Sequence, residues 1–149
     1  MLGRSLVLGY AIAAAISACS QPSDPTSSPL TGPSATSLSA RCIDQFAWEP
    51  HEGAFTGHWE AADRAIASHD GPTGSSEARL AASELRAMAA LASVPDPNVA
   101  GHLSHAAFAV DLASVAFANG LFQIAKKNLS DAASEHEVAL ASTSAKDWC

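Results

Sequence analysis

Six histidines punctuate the second two-thirds of the chain: His51, His58, His69, His102, His105 and His136. Wound into helices, His51, His58 and His69 fall on the apolar side of one segment and His102 and His105 within the apolar arc of another. His136 sits at the centre of the stripe of a third. Neutral imidazoles supply nitrogen ligands to zinc, copper or haem iron. Met88 adds a soft sulfur that favours copper(I) or a b-type haem, whereas Glu84, a carboxylate inside an apolar arc, suits zinc. The plainer chemistry is packing. A histidine on an apolar face is commonly a neutral core residue with one hydrogen-bond partner, and methionine commonly fills gaps. On that reading Glu84 pairs with Lys126, Lys127 or Arg64, or turns into water.

Motifs that would fix a reaction are missing. His51-Glu52 and His136-Glu137 each begin like HExxH, but Phe55 and Leu140 occupy the second histidine positions. No Glu-x-x-His occurs, so the di-iron carboxylate pattern fails. CxxCH, GxSxG, P-loop and GxGxxG signatures are likewise missing, and no serine has a placed base. The chain reads as a non-enzyme.

Helices must position these residues. The first lies within about 44–69, with Phe55, Trp59, Ala62 and Ile66 as its stripe and Pro50 tolerable only near a first turn. Asp70-Gly71-Pro72 is expected to stop it, glycine taking the left-handed residue. The second, about 75–94, begins on a serine cap and turns Leu80, Met88, Leu91 and Val94 one way, with Leu85 at the edge. Pro95 ends it, and Asp96-Pro97 opens the third, about 97–118. That helix carries one stripe of Val99, Leu103, Ala106, Val110, Ala113 and Phe117 and a second of Phe108, Leu112 and Val115. Only Ser104, Asp111 and Ser114 mark a wet side. If Asn119-Gly120 turns the chain, a fourth helix follows at about 121–142, with Phe122, Ala125, Leu129, Ala132, His136 and Leu140 aligned.

Upstream, Leu2 to Ile16 is apolar with one cation, Arg4, the charged start and short apolar core of an export signal. Ile16-Ser17-Ala18-Cys19 follows, and a branched aliphatic, two small residues and cysteine resemble the lipobox of bacterial lipoproteins. The resemblance implies removal of residues 1–18, a diacylglycerol on Cys19 and a protein held on the outer face of the cytoplasmic membrane. Between residues 20 and 40, fourteen of twenty-one are Ser, Pro or Thr, a composition expected of a disordered tether. An Ala-rich helical domain (41–149) behind such a leader looks like many lipoproteins of GC-rich bacteria. With Cys19 lipidated, Cys42 and Cys149 remain, and an oxidising compartment pairs them.

That pairing selects the topology. In an up-down four-helix bundle Cys42 and Cys149 lie at one end, whereas fusing the last two helices would separate them by tens of ångströms at ~1.5 Å per residue. The expected fold is therefore all-α, with termini tied by the disulfide. Such a bundle puts His58, Met88, His105 and His136 at about one level, with His51 and His102 a turn lower and His69 at the far end. Net charge is −7 and shifts to −8 once Arg4 is removed, which argues against nucleic acid. The leading expectation is a lipid-anchored extracytoplasmic binding module holding copper, zinc or haem through those four residues, with no cofactor as the equal alternative. The competing one is an adaptor that offers the apolar face of the third helix to a protein or lipid partner, its histidines merely packed. An unrecognised enzyme comes last.

The lipobox makes a direct prediction. Labelled palmitate enters the wild-type protein and not Cys19→Ala, which accumulates as the unprocessed precursor; label retained by the variant would end the lipoprotein reading.

Overall fold

The computed structural model describes residues 42–144 and 147–149. The export segment, Cys19 and the tether lie outside these residues. Four helices account for most of what is described: α1 (Gln45–Ser68), α2 (Gly71–Ala92), α3 (Pro97–Ala118) and α4 (Phe122–Ser142). They form an up-down bundle. Helices adjacent in sequence pack closely, and the closing pair, α1 and α4, touches sparingly.

Three aspartates start three of the helices. Asp44 accepts from the amides of Phe46 and Ala47, Asp70 from Thr73, and Asp96 from Asn98 and Val99. The α2 start corrects the sequence reading by four residues. Asp70 caps it and Pro72 sits in its first turn, so Gly71 begins α2 instead of ending α1. The left-handed residue that closes α1 is His69, at φ 57°. Pro50 lies in the second turn of α1, and the helix runs through it.

Alanines make the core. Ala78, Ala81, Ala82, Ala89 and Ala92 are buried on α2 beside Leu85 and Met88, while Leu80 and Val94, expected in its stripe, face solvent. Small side chains bring α2 and α3 close together, and two glycines take this furthest. A Cβ on Gly71 would lie 2.7 Å from the Phe117 carbonyl oxygen, and one on Gly74 would lie 2.3 Å from the Phe117 ring. The first α3 stripe is buried throughout, as the pattern requires. Ser114, assigned to the wet side, is instead buried at the α2 interface, where its hydroxyl shares a 3.2 Å hydrogen bond with Ser75 and accepts from Arg79 Nε.

The termini meet as expected. Cys42 and Cys149 form a disulfide with Cα atoms 5.4 Å apart. Beside it Ile43, fully buried, pairs with Trp148 in a short parallel bridge: Ile43 N–H donates to the Asp147 carbonyl and Cys149 N–H to the Ile43 carbonyl. Closing a loop of 107 positions is worth about 4–5 kcal/mol in the chain-entropy account.

The glycines give a prediction with opposite signs. Gly74→Ala pushes against Phe117 and lowers stability by about 1–3 kcal/mol in urea denaturation. Gly53→Ala, on an open face of α1 where a Cβ meets nothing within 4 Å, raises it by about 0.5–1 kcal/mol.

Candidate functional site

Three of the six histidines are engaged pairwise at helix seams. His51 Nδ1 lies 2.6 Å from Glu84 Oε2 and His58 Nδ1 2.7 Å from Glu77 Oε2, both joining α1 to α2. His102 Nδ1 lies 2.7 Å from Glu135 Oε2, joining α3 to α4. Each carboxylate accepts the imidazole N–H at the rim of an interface, where both groups keep part of their hydration. Glu84 thus pairs with His51 and with none of Lys126, Lys127 or Arg64, at the rim and not in the core. His69 packs edge-on against Phe122, with ring centroids 4.9 Å apart.

The four residues expected to share a metal sit in different surroundings. Met88 is fully buried, His105 is exposed on the outer side of α3, His58 is held by Glu77, and His136 lies between α1 and α4. Among the described residues no group of three or more His, Cys, Asp or Glu side chains is placed to hold a metal ion. The projection set the histidines on the correct helices, but a rotation of a few tens of degrees separates a core position from a rim position.

Along α1, where contact with α4 is sparse, the surface carries a groove of two separate pockets, the upper between α1 and α4 and the lower between α1 and the return segment. The upper, about 200 Å³, is lined by Phe55, Thr56, Trp59, Ala133, His136 and Glu137. The lower, about 410 Å³, is lined by Gln45, Trp48, Glu49, Glu52 and Trp148. Trp48 and Trp148 meet edge to face at 5.2 Å, and His136 tilts against Phe55 at 4.7 Å. All three tryptophans of the chain therefore line one or other of these two pockets. Glu52 links the compartments: its Oε2 accepts from Trp48 Nε1, and its Oε1 stands 3.7 Å from His136 Nε2, too far for a direct hydrogen bond.

Two buried polar atoms, on residues that line the upper compartment, have no hydrogen-bond partner among the described residues: Trp59 Nε1 and His136 Nε2. Leaving such a group unpaired costs about 1–3 kcal/mol. Burial, only partly opposed by the charges of Glu52 and Glu137, holds the His136 imidazole below its ordinary pKa of 6.5, so it is neutral at neutral pH. Sequence reasoning found Phe55, Trp59 and His136 as stripe residues and missed the groove. Trp148 is delivered by a non-periodic return segment, and Trp48 lies outside the stripe that was counted.

No family model, curated protein or solved structure matches the chain. The groove's own geometry must carry the functional reading.

His136 sets the sign of a pH effect. Its pKa is lower folded than unfolded, so the stability gained from the neutral ring is complete above about 6.5 and is lost as pH falls through the folded value. Denaturation from pH 7.5 down to 4.5 should show His136→Gln losing less stability than wild type over that window. Parallel pH curves for the two proteins would reject the assignment.

Proposed function

We propose that this protein is a lipid-anchored extracytoplasmic binding module whose ligand seats in the groove between α1 and α4. The observation that carries the reading is an aromatic pocket lined by two residues, Trp59 and His136, whose buried ring nitrogens have no partner among the described residues. An apolar cleft with a few convergent polar groups is the usual form of a small-molecule site. The lipobox resemblance and the Ser/Pro/Thr segment support anchoring on the outer face of the cytoplasmic membrane, with the bundle held off the lipid. His58, Met88, His105 and His136, in their different surroundings, give a shared metal or haem no comparable support.

The adaptor reading keeps one specific observation: Phe108, Leu112 and Val115 are 64 %, 44 % and 60 % exposed along one face of α3. α3 is long and apolar enough to cross a membrane, yet half of its most apolar window is buried in the bundle. Three residues on one helix make a small patch, and single exposed apolar side chains are ordinary. The groove is therefore preferred.

The test uses the full-length protein in lipid nanodiscs with labelled tryptophan, whose three indole N–H signals all report on the groove. Phenol and indole as probes should shift the Trp59 signal saturably. Ala133→Leu, which fills the upper compartment from its wall, should abolish the shift while leaving helical content unchanged. A Trp59 signal that stays fixed up to millimolar probe would overturn the reading.

A further inference from the structure

We infer that His102 and His105 form a two-histidine site for a divalent transition-metal ion, copper(II) above all, on the surface of α3. The two residues line one surface pocket of about 260 Å³, together with Pro97, Asn98 and Gly101. None of these residues borders either pocket along α1, so the inference stands apart from the groove reading.

The way His102 is held singles the pair out. Its Nδ1 lies 2.7 Å from Glu135 Oε2, so the neutral ring carries its proton on Nδ1 and its lone pair on Nε2. A carboxylate on one ring nitrogen is the usual support of a metal-bound imidazole. It fixes the tautomer and the ring plane, and it makes the other nitrogen a stronger donor. The His102 side chain is 37 % exposed and His105 is exposed, so an ion arriving from solvent meets both. Glu84 and Glu77 hold His51 and His58 in the same manner. Those two are seven residues apart on α1, about 10 Å of helix rise, too far to share one ion. Of the three carboxylate-held histidines, only His102 has a second histidine within one turn of its own helix.

Spacing brings the second nitrogen within reach. Residues three apart on a helix have Cβ atoms about 5–6 Å apart. An ion with bonds of about 2 Å needs its two nitrogens within about 4 Å of each other, a difference that two imidazole arms can close. Long helical side chains lean toward the N-terminus, which favours His105 reaching back over the turn that carries His102. Gly101 puts no side chain in the way. Imidazole suits copper, nickel and zinc. Copper(II) binds most tightly in the divalent series and accepts a tetragonal arrangement of two nitrogens, with water in its other positions. Magnesium and calcium prefer oxygen and gain nothing here.

The test titrates Cu(II) into the untagged full-length protein in phosphatidylcholine nanodiscs and reads electron paramagnetic resonance. One ion per chain should bind at micromolar Cu(II), with the hyperfine pattern of two imidazole nitrogens. His105→Ala should weaken binding and leave a one-nitrogen pattern. Glu135→Gln, whose amide oxygen still accepts from Nδ1, should keep two nitrogens and weaken binding about tenfold. His58→Ala, which removes a carboxylate-held histidine with no neighbour, should change neither affinity nor pattern. Circular dichroism should show equal helical content in all four proteins. No saturable binding at micromolar Cu(II), a two-nitrogen pattern that survives His105→Ala, or one that His58→Ala abolishes would overturn the site. Affinity unchanged in Glu135→Gln would overturn the part given to the carboxylate.

Discussion

Cys42 and Cys149 join the start of α1 to the segment that follows α4, and the form of the bundle depends on that junction. Short turns hold α1 to α2, α2 to α3 and α3 to α4. No turn holds α1 to α4, so the ring of four helices has one seam without a covalent neighbour. The disulfide, the buried Ile43 and the Ile43–Trp148 bridge close this seam at one end only. Above the clasp, α1 and α4 are free to stand apart.

Side-chain size then decides how far apart they stand. α2 and α3 meet through alanines, serines and the Gly74–Phe117 contact, which lets the backbones approach. α1 instead turns Trp48, Phe55 and Trp59 inward over its first four turns and only later Ala62 and Ala65. Large rings near the clasp hold α4 away, and small residues near the far end do not. The groove follows from this gradient. Its two unpartnered nitrogens lie where the rings are largest, so the cost of the open seam is concentrated at one place.

Much of this fold was legible because it rests on local chemistry. Asp96-Pro97 is cap and first turn in one dipeptide, the Val99-to-Phe117 stripe has a single helical phase, and the cysteine pairing follows from counting. The α2 start was misread because Ser75 and Asp70 both offer a capping oxygen. Asp70 prevails since Pro72 is already set for a first turn and Gly71 can pack where a side chain would meet the Phe117 carbonyl. His51, His58 and His102 lie at the rim instead of in the core for a different reason. Periodicity gives the angle of a residue about its helix, but rim and core differ by less than the width of the apolar arc. A glutamate on the next helix can draw an imidazole to the rim, as Glu84, Glu77 and Glu135 do. Nothing in the pattern of one helix reports that partner.

Charge completes the division of labour around the ring. The α1/α2 and α3/α4 seams carry imidazole–carboxylate pairs, and the α2/α3 seam carries Arg86–Asp111 and Arg79–Ser114. At the α1/α4 seam the corresponding pair, His136 and Glu52, stops short at 3.7 Å, with the imidazole only 11 % exposed. Glu52 is already committed to Trp48 through its other oxygen, and Phe55 holds the His136 ring from the side. Neither partner is placed to close the gap without giving up a contact. The same interaction that bridges the α1/α2 and α3/α4 seams is thus held open here, between aromatic walls.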